Sequence, residues 1–140
     1  LFRSFPKENS MSSTNKVFIS FALRDTDLRD TLIEQVNNEN TPYKLEYLAT
    51  KASWDPSWKE ECRSKVADCD GVIALVTNQI IRADGQQWEI ECAYKERVPV
   101  LLLEGKSEKL GKGFPAILDD KDFLDWTLPN IMAFLNRLQK

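Results

Sequence analysis

Apolar residues in this chain gather into short unbroken runs, which alternate with longer stretches where they recur every third or fourth position. The runs KVFISFA (16–22), VIALVT (72–77) and VPVLLLE (98–104) are β-branched, aromatic or aliphatic almost throughout, a pattern that suits strands buried on both faces. PYKLEYLA (42–49) reads as a further strand, and an edge strand is expected around Asp122 to Trp126, after a short irregular piece starting at Phe114. Between them, Leu28, Leu32, Ile33 and Val36 at helical spacing predict a helix over Thr26 to Asn37, with Asp25 as its candidate N-cap. Asp55 before Pro56 starts a second helix with Trp58, Cys62, Val66 and Cys69 on one face, ended by Gly71. IIRADGQ (80–86) reads as a loop and QWEIECAYKER (87–97) as a third helix. LPNIMAFLNRLQK (128–140) reads as a fourth, with Ile131, Phe134, Leu135 and Leu138 on its apolar face.

Strands alternating with helices imply a parallel sheet covered on both faces. The expected fold is a single flavodoxin-like three-layer α/β domain over residues 16–140, with about five parallel strands in the order 2-1-3-4-5. Residues 1–15 read as a flexible lead, Met11 as a natural start and the residues before it as a cloning remnant. Ligands of such open sheets bind at the carboxyl ends of the strands, which nominates the loops after Phe21, after Tyr47 and after Thr77.

Charge narrows the chemistry. A net charge of -3 gives no sign of a nucleic-acid binder, and no apolar run is long enough to span a bilayer, so a cytoplasmic protein is expected. Cys62, Cys69 and Cys92 are odd in number and irregularly spaced, and are expected to be free thiols, with Cys92 a small helix-face hydrophobe rather than a nucleophile. The chain has no histidine, which excludes Ser-His-Asp and Cys-His triads and any histidine-held metal; no metal or cofactor is expected. There is neither a GxGxxG nor a GxxxxGK[ST] motif, so dinucleotide redox chemistry and P-loop hydrolysis are not expected. What remains for any catalysis is carboxylates, hydroxyls or backbone; among the carboxylates are Glu89 and Glu91, placed by this reading in the first turn of the third helix. On position alone the plainer reading is that both are ordinary dipole-favoured acids.

Three segments together resemble the TIR domain family. KVFISFALRD is similar to its first box, WKEECRSKVADCDGVIALVT to its next helix and central strand, and WEIECAYKERVPVLLL to the segment that carries the TIR catalytic glutamate. The resemblance runs from Lys16 to Leu103 and is nearest to the TIR-like group that includes the NAD-consuming sensor of bacterial Thoeris anti-phage systems. In that segment the catalytic glutamate is followed by an aliphatic residue and, four positions on, by a small one. Glu89, with Ile90 and Ala93, fits this; Glu91, with Cys92 and Lys95, does not. The family's tryptophan four residues earlier is replaced by Gly85, while Trp88 directly precedes Glu89.

The resemblance implies an enzyme that cleaves the bond between nicotinamide and ribose in NAD+, as a substrate rather than a cofactor, with Glu89 catalytic. It also implies substrate contacts from Ser20, Phe21, Arg24 and Asp25 in the first loop and from Lys51, Ser53 and Trp54 in the second, where the family's BB loop lies. Each has a plainer reading: Ser20 as a strand-end hydroxyl, Asp25 as a helix cap, Arg24 as an exposed cation and Trp54 as a packing staple. Trp58, by its spacing, belongs to the core. Self-association, a downstream effector that senses the nucleotide product and a role in prokaryotic immunity follow from the same likeness. The alternatives are a TIR module that only self-associates and signals, and a nucleoside deoxyribosyltransferase-like enzyme.

Overall fold

A computed structural model describes residues 15–105 and 114–139; all of the expected lead but Asn15, and most of the polar 105–113 segment, lie outside the described residues. Five parallel strands, β1 (Lys16–Ser20), β2 (Lys44–Glu46), β3 (Gly71–Val76), β4 (Val100–Glu104) and β5 (Leu124–Asp125), form one sheet in the order β2-β1-β3-β4-β5. Four helices connect or follow them: α1 (Thr26–Asn37), α2 (Pro56–Ala67), α3 (Asp84–Lys95) and α4 (Leu128–Leu138). The chain is thus a single flavodoxin-like α/β domain.

Alternation along the strands divides the core. Val17, Ile19, Ile73, Leu75, Leu101 and Leu103 face one side, against Leu32 and Val36 of α1 and Ile131, Phe134 and Leu135 of α4. Phe18 and Val72 face the other, against Trp58, Cys62 and Val66 of α2 and Cys92 and Ala93 of α3. Because β1, β3 and β4 are covered on both faces, they have no polar positions to alternate with, as their sequences require. The three cysteines are free and buried, and Trp58 is packed in the core with its indole N–H donating to Thr50 O at 2.6 Å. Among the described residues no helix is long and apolar enough to cross a membrane.

Two expectations need correction. Asp25 does stand at the N-cap position of α1, but its side chain caps nothing; it is fully buried and accepts from Thr77 Oγ1 at 2.5 Å. The segment read as a loop over 80–86 is instead a 3-10 turn, Asn78–Arg82, followed at once by α3 from Asp84. Thr77 caps that turn by accepting from Gln79 N, which lets the chain turn over the end of β3 without an intervening loop. Glu89 therefore lies in the second turn of α3 and not the first. Dipole preference at a helix start does not account for it.

Candidate active site

The buried polar side chains of the described residues are Ser20, Asp25, Thr77, Gln86 and Glu89, and they converge at the carboxyl ends of β1 and β3. A sheet edge leaves backbone groups and loop turns to be satisfied, but nothing in folding alone calls for a carboxylate there, since burying one without compensation is costly. Glu89 is fully buried because α3 packs residues 86, 89, 90 and 93 inward as one helical stripe.

Both carboxylate oxygens are engaged. Ser20 Oγ donates to Oε1 at 2.9 Å and Lys51 Nζ pairs with Oε2 at 2.5 Å, and the nearby Phe21 backbone N–H also favours the charged form. Burial raises the acid's pKa and these partners, Lys51 foremost, lower it; burial prevails, and the pKa stands at about 7 rather than 4.5. Lys51 is itself nearly enclosed, its ammonium 4.0 Å from the centre of the Phe21 ring. It reaches Glu89 across Gly85: a Cβ built there would stand 2.6 Å from Lys51 Cβ. The glycine at this position makes room for the lysine.

Beside the pair opens a cavity of about 340 Å³, lined by residues of all three nominated loops. Arg24, Lys51, Ser53 and Trp54 line it, and Trp54 stands 82% exposed at its rim, which removes the packing-staple reading. Phe21 does not line the cavity; its ring packs edge-on against Tyr47, and it serves the site through its backbone and as a floor under Lys51. Asp25 is likewise absent from the lining. Its bond to Thr77 instead ties the 3-10 turn after β1, Leu23–Asp25, to the turn after β3.

Arg82 and Gln86 also line the cavity, and neither was singled out by sequence reasoning, because both fell in the supposed loop. Gln86 carried a usable signal: it lies three residues before Glu89, so a single helix would bring two polar groups onto an otherwise apolar stripe. The two glutamates are separated by geometry, since Glu91 lines a different groove between α2 and α3, with Trp88, Lys59 and Arg63. Trp88 therefore forms no wall of the cavity beside Glu89. Among the described residues no cluster of three or more histidine, cysteine or acidic side chains could hold a metal ion. No family model matches the chain, and no curated protein matches it significantly.

Proposed function

We propose that the protein is a TIR-like enzyme that cleaves the N-glycosidic bond of NAD+, releasing nicotinamide, with Glu89 as the catalytic carboxylate. The observation that carries this reading is a fully buried carboxylate of raised pKa, next to a cavity whose lining holds Arg24, Lys51 and Arg82. The three-part sequence resemblance supplies the reaction class. Nicotinamide is bound to ribose as a cationic ring and leaves as a neutral molecule, so departure needs no general acid. One carboxylate then suffices, binding ribose hydroxyls and stabilising the oxocarbenium-like centre by preorganised charge.

For a hydroxyl to reach Oε2, Lys51 has to leave it. Because Lys51 also lines the cavity, an anionic substrate there offers the ammonium a second partner as the first is taken up by ribose. The acceptor is water, giving ADP-ribose, or another atom of the same molecule, giving a cyclic isomer. The enzyme acts in the cytoplasm, self-associates, and makes a nucleotide that a downstream effector senses in anti-phage immunity. Mass spectrometry after incubating concentrated protein with NAD+ is expected to find nicotinamide with ADP-ribose or its cyclic isomer. Glu89→Gln should form neither and Glu91→Gln should form both; NAD+ recovered intact from concentrated wild-type protein would sink the proposal.

A further inference from the structure

Gln86 is buried, with 1% of its surface exposed, and its side-chain N–H groups donate to Ser20 O at 3.2 Å and Leu75 O at 2.9 Å. Those two carbonyls fix the amide, because turning it over would set its oxygen against both of them. Its Oε1 is thus an oriented acceptor, and it has no hydrogen-bond partner among the described residues. An unmet buried acceptor is costly, and a ligand hydroxyl entering from the cavity that Gln86 lines would recover that cost once the groups now covering Oε1 give way.

The same cavity carries two guanidinium groups, from Arg24 and Arg82, both on exposed residues and neither in an ion pair among the described residues. They come from different turns, which the buried Asp25 to Thr77 bond holds together. Among the described residues Asp84 is the one carboxylate in the lining, so positive charge prevails there even with Lys51 committed to Glu89. Guanidinium forks match phosphoryl oxygens, and two forks on separate turns suit two linked phosphoryl groups better than one.

We infer that Arg82 and Gln86 are specificity-determining residues: Arg82, with Arg24, takes a diphosphate, and Gln86 Oε1 accepts from a hydroxyl of the ribose joined to it. The inference rests on the proposed reaction for the identity of the substrate, but the subsite is defined by binding alone. It also implies that ADP-ribose, which keeps the ribosyl diphosphate, is held after nicotinamide has left.

Calorimetric titration with inorganic pyrophosphate, inorganic phosphate and ADP-ribose tests it without any turnover. Pyrophosphate should bind wild-type protein more tightly than phosphate does, and Arg82→Ala should weaken it about tenfold, with Arg82→Lys between. ADP-ribose should bind more tightly than pyrophosphate, and Gln86→Met should erase that advantage while leaving pyrophosphate affinity unchanged. Equal pyrophosphate affinity in wild type and Arg82→Ala overturns the inference, whether or not the glutamine variant folds. A protein that leaves NAD+ intact yet binds pyrophosphate through Arg82 upholds the subsite and removes the reaction. Cleavage of NAD+ with an unchanged KM in Arg82→Ala removes the subsite and keeps the reaction.

Discussion

Glu89 is held between opposing forces, and the balance makes it sensitive to pH near neutrality. Burial raises its pKa against Lys51, Ser20 and the Phe21 amide, and the result is about 7 in the folded protein against 4.5 for the free side chain. A carboxyl that holds its proton more tightly when folded favours the native state at low pH. That advantage is lost as pH rises from about 4.5 to about 7. Urea unfolding across this range should show wild-type stability falling relative to Glu89→Gln, with the difference levelling off at higher pH; a difference that stays flat throughout would mean Glu89 is not buried as a titrating acid. The proposed reaction requires the ionised form, so if it holds, kcat/KM for NAD+, which reports the free enzyme, should rise with a midpoint near pH 7. Lys51 is the largest influence lowering that midpoint, and Lys51→Met should therefore move it to higher pH. A midpoint that does not move would show that the ion pair is absent from the free enzyme.

Much of the fold is legible in the sequence because β1, β3 and β4 have both faces covered and leave unbroken apolar runs, while α1, α2 and α4 each carry one apolar face. The start of α3 is not legible, because Gly85 looks like a loop residue when its partner is unknown. Its neighbour is Lys51, far away in sequence, and the ion pair between Lys51 and Glu89 spans 38 positions, so no local pattern encodes either contact. Asp25 misleads for a similar reason: it has the right residue type for a cap, but Thr77 on the neighbouring turn claims its carboxylate. Gly85→Ala tests this close approach. Replacing a helical glycine by alanine ordinarily stabilises by up to about 1 kcal/mol. Here the new methyl would sit 2.6 Å from Lys51 Cβ and 3.4 Å from its Cα, so the loop itself must shift. The expected outcome is a net loss of about 1–3 kcal/mol in chemical denaturation, together with a rise of the kcat/KM midpoint like that of Lys51→Met. A more stable variant with an unmoved midpoint would show that the loop yields freely and that the glycine has no part in placing the lysine.

The molecule gathers its site at one end of the sheet and leaves that end incompletely closed. A cavity of about 340 Å³ is near the lower end of the range of about 300–1,000 Å³ for small-molecule pockets, so a dinucleotide would extend past its rim. Leu23 and Trp54 line that cavity and Ile81 precedes Arg82 in its wall, and all three are large apolar side chains exposed to solvent. Leu124, the other exposed large hydrophobic among the described residues, is on β5 at the edge of the sheet. If copies associate as proposed, the apolar rim gives them a reason to meet over the site, and a neighbour covering it would exclude water from the reacting ribose. Specific activity should then rise with protein concentration, and Trp54→Ser should flatten that rise and lower activity with little change in stability, since Trp54 is 82% exposed. Leu124→Lys should leave the concentration dependence as it is. Dilution series of the three proteins, read alongside scattering mass, separate the two surfaces. If Leu124→Lys flattens the curve and Trp54→Ser does not, assembly runs through the sheet edge and the rim apolar groups serve the bound nucleotide alone.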